Sequence, residues 1–241
     1  MKNHRQDHIT GLADIHAHFV YGMDDGARTR EDMEAMLDAA YADGITSLVA
    51  TPHMTPGIKP FNPDIFRLRL EEARAYCRAR GYPLTLYPGA ELLYTPAMGQ
   101  YAVDHRLPGL AGTEKVLVEF TPDISLREVE QALDMLERRG YGVIMAHIER
   151  YACLHTGKTA AKLKERHDVL FQVNAHTLLT ERGYFRTRRI ERWFREGLVD
   201  AVASDSHNVR TRPFLMSKAY RVLRERYGTE EAARMTGQDW T

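Results

Sequence analysis

The sequence predicts an α/β fold built on parallel strands, and three observations carry that prediction. Short apolar, β-branched runs recur along the chain. An amphipathic stretch follows nearly every run. No linker, low-complexity tract or internal repeat breaks the alternation, so residues 1–241 read as a single domain. Alternation of this kind builds right-handed βαβ units and a parallel sheet, either open or closed into a barrel.

The runs are LADI (12–15), TSLVA (46–50), LTLYPG (84–89), KVLVEF (115–120), GVIMA (142–146), VLFQV (169–173) and VDAVAS (199–204). After the first, Thr29 caps a helix in which Met33, Met36, Leu37 and Ala40 recur at helical spacing, and Gly44 ends it. Pro63 opens a second helix that reaches about Arg80 and Gly81. Ser125 caps a third, with Val129, Ala132, Leu133 and Leu136 on one face and Gly140 as its stop. Later helices fall at 158–167, 186–197 and 214–227.

Composition narrows the function. An apolar fraction of 44% suits a chain with a buried core. Charge is balanced, 33 basic against 33 acidic side chains, which excludes a general affinity for nucleic acid and leaves only a local basic patch open. Cys77 and Cys153 have no CxxC spacing and read as reduced thiols. The N-terminus is polar and no apolar run reaches the ~18 residues of a membrane span. The expectation is a cytoplasmic protein without membrane insertion.

The stretch DIHAHFVYGMDDGA (14–27) sets two histidines and two aspartates at the end of the first apolar run. The other runs repeat the pattern. His53 follows the second and Glu91 the third. Glu119 closes the fourth and His147 follows the fifth. Asn174 and His176 follow the sixth, Asp205 and His207 the seventh. In an α/β barrel the C-terminal strand ends converge on one face, so scattered residues become one cluster. Only closure brings all seven ends together, which favours a barrel over an open sheet. So many ionisable groups in one buried place need partners or metals. The imidazole and carboxylate donors, without thiolate, suit Zn²⁺, Fe²⁺ or Mn²⁺, and the carboxylate share leans toward the harder ions. The candidate ligands outnumber one ion's needs, so two or three metals are implied. Such a cluster activates water at neutral pH and clamps the oxygens of an in-line displacement at phosphorus. The remaining histidines, His4, His8, His105, His155 and His167, read as surface or loop residues.

In order along the chain, DIHAH, DDGA, ATPH, GAEL, VEF, AHIERY and SDSHN resemble the motifs of the PHP (polymerase and histidinol phosphatase) superfamily. Within it, DDGA, AHIERY and SDSHN are similar to the bacterial PHP-type protein tyrosine phosphatases of capsule and exopolysaccharide clusters. The resemblance spans about residues 12–228. It implies a distorted seven-stranded (β/α) TIM-like barrel holding three divalent metals, usually manganese, with Fe²⁺ or Zn²⁺ as alternatives. By motif, His16, His18, Glu91 and Asp205 would hold the first metal. Glu91 would bridge to a second, completed by Glu119 and His147. Asp25, His53 and His207 would surround a third. Arg150 and Arg212 would hold the phosphate, for which a guanidinium fork is the matching shape. The implied substrate is a bacterial tyrosine autokinase with a tyrosine-rich tail that controls polysaccharide synthesis. Homo-oligomerisation stays open. Residues 1–11 read as an N-terminal extension and 229–241 as a C-terminal tail. The chain departs from the family in that extension, in lacking a proline before DDG, and in its ending MTGQDWT.

Two decoys fall away. ACLHTGKT (152–159) resembles a P-loop, but His147, Glu149 and Arg150 separate it from its strand. A cysteine-based phosphatase needs arginine six residues after its cysteine; Pro83 and Thr159 stand there instead. Tyr94, Tyr101, Tyr184 and Phe185 could flank a phosphotyrosine or simply pack. Competing readings are a PHP small-molecule phosphatase of the histidinol phosphate type, a PHP phosphodiesterase, and a non-catalytic PHP scaffold, which would be expected to have lost ligands.

Overall fold

The computed structural model describes residues 9–59, 62–155, 158–179 and 184–237. The expectations for His4, His8, the rest of the first eight residues, the centre of the P-loop decoy, the side chains of Tyr184 and Phe185, and residues 238–241 lie outside them.

The chain runs β1 (Leu12–Ala17), α1 (Arg30–Ala42), β2 (Ile45–Ala50), β3 (His53–Met54), α2 (Pro63–Arg80), β4 (Thr85–Pro88), β5 (Glu91–Leu93), α3 (Met98–Val103), β6 (Lys115–Glu119), α4 (Leu126–Glu137), β7 (Gly142–Met145), α5 (Thr159–Arg166), β8 (Val169–Asn174), α6 (Ala175–Leu179), α7 (Tyr184–Arg195), β9 (Ala201–Ala203), α8 (Met216–Tyr227) and α9 (Thr229–Thr236). The strand ladders are all parallel, in the orders β1-β2-β4 and β3-β5-β6-β7-β8-β9. One bridge, Ala17 to Ser206, links β1 to the segment beyond β9.

This is the expected TIM-like architecture, with a specific distortion. The second and third predicted strands each break and resume, as β2/β3 and β4/β5. Their lower pieces join β1 in the order β1-β2-β4 and their upper pieces join β6 in the order β3-β5-β6, so the ring is not continuously hydrogen-bonded. Pro52 explains one break, since it has no N–H for a ladder and restrains Thr51 before it. At the other break, a Cβ on Gly89 would lie 2.8 Å from Leu110 and 3.0 Å from Val49.

The helix signals hold. Thr29 with Asp32 and Ser125 with Glu128 form reciprocal capping boxes, and Asn62 caps α2 ahead of Pro63. Gly81 ends α2 in the left-handed conformation. Helices α3 and α6, of six and five residues, are too short to show a period and were not expected. Residues 229–236 of the expected tail form α9, whose Ala232 and Met235 are buried.

Apolar side chains fall into two layers. The larger lies between strands and helices. The smaller takes Ile15, Val49, Leu117, Ile144, Ala201 and Ala203 from five strands and no α-helix, and so fills the barrel interior. Among the described residues no helix is long and apolar enough to cross a membrane. His167 departs from expectation: it is buried, with Nδ1 3.1 Å from Glu137 Oε2.

Candidate metal centre

The strand ends bring all nine predicted ligands to one place. His16, inside β1, and His18, just past it, set their Nε2 atoms 3.2 Å apart. Glu91, the first residue of β5, reaches them with Oε2 at 3.1 and 3.3 Å. Asp205 Oδ1 lies 3.5 Å from both. His147 Nε2 stands 2.7 Å from the other Glu91 oxygen and 3.5 Å from Glu119. His53 Nδ1 is 3.1 Å from Glu91 and 3.4 Å from Glu119. Asp25 Oδ1 lies 3.4 Å from Nε2 of both His53 and His207. His53 and Glu91 sit inside short strand pieces rather than after a strand, because the breaks below them re-aim the chain.

The imidazoles are oriented from behind. His16 Nδ1 meets Gln172 Oε1 at 3.2 Å, and His18 Nδ1 meets Asp24 Oδ2 at 2.7 Å. His147 Nδ1 faces the Tyr151 hydroxyl at 3.4 Å, and His207 Nδ1 faces the Asp205 carbonyl at 3.1 Å. An amide or carboxylate oxygen can only accept there, so Nδ1 carries the hydrogen and Nε2, once it gives up its proton, is left to turn a lone pair inward. This is how proteins prepare histidines for metals. Glu91 Oε2 and His207 Nε2 are buried yet make no hydrogen bond, although nitrogens crowd that oxygen. His16, His18, Glu91 and Asp205 offer four buried donor atoms within 4.8 Å of one another; His18, His53 and His207 form another such group, and His53, Glu91 and Glu119 a third. Converging buried donors, two of them left without a hydrogen-bond partner, fit divalent cations.

Electrostatics agrees. Burial raises the Glu91 carboxyl, but the His16 imidazole and its neighbours His147 and His18 hold it well below its ordinary range. Burial disfavours charged histidine, yet Asp205, Asp24 and Glu91 push His18 well above its usual value. Against the same burial, Glu119 and Glu91 raise His53 to about 10 and His147 to about 9. His207 is driven down to about 4, by burial first and then by His18 and Arg212.

Two of these residues carry backbone strain. His147 and Asp205 have φ of 33° and 53°, the left-handed region that costs a non-glycine residue roughly 1–3 kcal/mol. The His16 carbonyl accepts the Asp205 N–H at 2.9 Å, and Gln172 Oε1 accepts the His147 N–H at 2.8 Å, which fixes both.

Arg150 and Arg212 stand at the rim, each about two-fifths exposed, with Nη2 2.6 and 2.7 Å from Asp205 Oδ2. Asn174, noted from sequence as a strand-end residue, donates to the same oxygen at 2.8 Å. His176 is exposed on α6. The supporting residues Asp24, Gln172 and Tyr151 were not expected. The sequence does signal Asp24, the first aspartate of DDG, but cannot say which of the pair turns inward.

Known proteins resemble this chain along most of its length. The family model described as capsular polysaccharide synthesis, CpsB/CapC, matches residues 12–239. The tyrosine-protein phosphatase CpsB of Streptococcus agalactiae is 30% identical over 226 residues, covering 92% of this chain and 93% of its own. The tyrosine-protein phosphatase YwqE of Bacillus subtilis is 30% identical over 223 residues, covering 91% and 86%. A solved structure from work on YwqE and on CpsB of Streptococcus pneumoniae, described there as unique metal-dependent tyrosine phosphatases, superposes with a TM-score of 0.83 at 30% identity, covering 92% of this chain and 90% of that one.

Proposed function

The chain belongs to the CpsB/CapC family of capsular polysaccharide synthesis, and from that premise we propose that it is a metal-dependent protein tyrosine phosphatase. The observation that carries this reading is the convergence of imidazole Nε2 atoms and carboxylates on one cluster at the strand ends. His16, His18, Glu91 and Asp205 would hold one ion. Glu91, Glu119 and His147 would hold a second, and Asp25, His53 and His207 a third. The carboxylate share suits manganese. When bound, the ions supply Lewis acidity and water activation at neutral pH.

The chain's own residues do the rest. Asp24, Gln172 and Tyr151 hold the imidazoles in place. Asp205 divides its work: Oδ1 faces the imidazoles and Oδ2 anchors both rim arginines. A guanidinium has five N–H donors, so Arg150 and Arg212 keep donors for the phosphoryl oxygens and offset the charge that builds at phosphorus. The substrate is a phosphotyrosine protein of capsule or exopolysaccharide synthesis, and we assign it to the tyrosine kinase that controls polymer assembly.

The test is phosphate release with Mn²⁺ from a phosphotyrosyl peptide, a phosphoseryl peptide and histidinol phosphate. The reading expects preference for phosphotyrosine, loss with chelator, and a fall of about 10²–10³ in kcat for Arg150→Ala. Turnover of histidinol phosphate alone would move the chain to another PHP branch.

A further inference from the structure

Strand β8 ends in two buried amides. Gln172 and Asn174 stand two residues apart, so their side chains share one face of the strand. Their partners fix which way each amide points. The His147 backbone N–H can only donate, so the Gln172 atom that meets it at 2.8 Å is Oε1. That leaves Gln172 Nε2 to donate to Asn174 Oδ1 at 2.8 Å. Asn174 Nδ2 is then turned to Asp205 Oδ2, which accepts at 2.8 Å. Behind it, the Asn174 N–H donates to Glu149 Oε1 at 3.2 Å. A directed chain of hydrogen bonds thus runs along β8 to the carboxylate oxygen that holds both rim arginines. The three donors to that oxygen are not alike. The Arg150 and Arg212 side chains are each 39% exposed on flexible stems, whereas Asn174 is 6% exposed and bonded through both ends of its amide. The buried amide is the fixed reference, and the arginines take their place from the oxygen it holds.

We infer that Asn174 is a positioning residue for phosphate binding: its amide holds the Asp205 carboxylate in the rotation that presents Oδ2 to Arg150 and Arg212. It acts on a phosphoryl group only through those two side chains. The inference rests on the phosphatase reading above and adds a residue to it. The other face of Asp205 depends on Asn174 less. The His16 carbonyl holds the Asp205 N–H at 2.9 Å, a bond in which Asn174 has no part. Loss of the amide should therefore loosen the phosphate grip and leave the metal ligands in place.

The experiment titrates inorganic phosphate into manganese-loaded protein, and manganese into metal-free protein, by calorimetry. The proteins are the parent, Asn174→Ala and Asn174→Asp. Asn174→Asp keeps the shape and the acceptor for Gln172 but loses the donor to Asp205; Asn174→Ala loses the donor without adding charge. Phosphate affinity should fall about tenfold in Asn174→Ala, as loss of one hydrogen bond to a charged group allows, and at least as far in Asn174→Asp. Manganese affinity of Asn174→Ala should stay close to the parent's. KM for a phosphotyrosyl peptide should rise with the phosphate dissociation constant, and kcat should change less. In an Arg150→Ala/Arg212→Ala background, Asn174→Ala should cost no further phosphate affinity, because the groups it acts through are gone. Should Asn174→Ala not fold, Asn174→Ser, uncharged and too short to reach Asp205, takes its place. Phosphate affinity equal to the parent's in the uncharged variant overturns the inference. So does a loss that adds in full to that of the arginine pair. Manganese lost in step with phosphate overturns it too, because Asn174 would then support Asp205 as a metal ligand. A parent that turns over no phosphotyrosyl peptide counts against the phosphatase reading instead, and the phosphate titrations still decide the role of Asn174. A manganese-loaded parent that binds no phosphate would overturn both.

Discussion

The barrel strands have two halves that obey different rules. Their lower parts point Ile15, Val49, Leu117 and Ile144 into an apolar interior. Their upper ends, a few residues on, carry His16, His18, Glu91, His147 and Asp205, all buried as well. Below, the side chains of this layer are apolar. Above, the ladders break at Pro52 and Gly89, two residues take left-handed backbone, and ionisable groups crowd within hydrogen-bonding range. The lesson is a division of labour. The lower half supplies apolar burial that stabilises the fold, and this offsets the strain and desolvation accepted above.

The largest separation between the halves should come from Glu91→Ala. Glu91 touches three imidazoles through Oε2 and a fourth through Oε1. Removing it should cost activity by about a thousandfold or more. The melting temperature of metal-free protein should fall as well, because the buried imidazoles lose the carboxylate that compensates their charge. A large thermal destabilisation with activity retained would show that the carboxylate is structural.

Ile144→Ala makes the opposite cut. Ile144 is 1% exposed in the interior layer, so truncation should cost about 2–5 kcal/mol in denaturant unfolding. Phosphatase activity per folded molecule should stay near that of the parent. A matching drop in both would mean that the halves are not independent.

A smaller effect sharpens the role of the supporting residues. Asp24 accepts from Gly26 N–H and His53 N–H and meets His18 Nδ1. Asp24→Asn should weaken metal binding about 10–100-fold, measured by calorimetric titration with Mn²⁺. Unchanged affinity would leave Asp24 as a loop-shaping residue only.

The smallest effect is one of pH, and its sign distinguishes the halves. In chelator-treated protein His53 and His147 are raised to about 10 and about 9 from 6.5. A raised histidine stabilises the fold fully below 6.5 and loses that contribution as pH climbs through 9 and 10. Metal binding needs neutral imidazole, so affinity should rise across the same window and loading at pH 7 should release protons. Calorimetry in buffers of different ionisation enthalpy reads that release; none would contradict the assigned charge states.

Much of this was legible in the sequence because strand ends announce themselves. HxH at period two, carboxylates near the ends of β-branched runs and helix-capping residues are local patterns, and the structure brings them to the strand ends and helix starts, with Glu91 inside a short strand piece of its own. What stayed hidden depends on distant parts of the chain. His147 and Asp205 take left-handed backbone without glycine, so no composition signal marks them. Gln172 looks like any polar residue in a strand until His16 and His147 arrive against it. His167 sits just past a helix end, and only the neighbouring Glu137 reveals its burial. The Pro52 and Gly89 breaks are visible as residues, but their consequence, a ring split between two sheets, is set by the neighbours they pair with.

The most direct test of the account is the number of metal ions held by each chain. The protein would be loaded with manganese, passed through gel filtration and analysed by plasma mass spectrometry beside Glu91→Ala. The account predicts close to three ions per parent chain, with at least two lost in the variant because Glu91 would serve both of the first two. A fully active parent with no bound metal, or a variant that keeps the parent's complement, would contradict it.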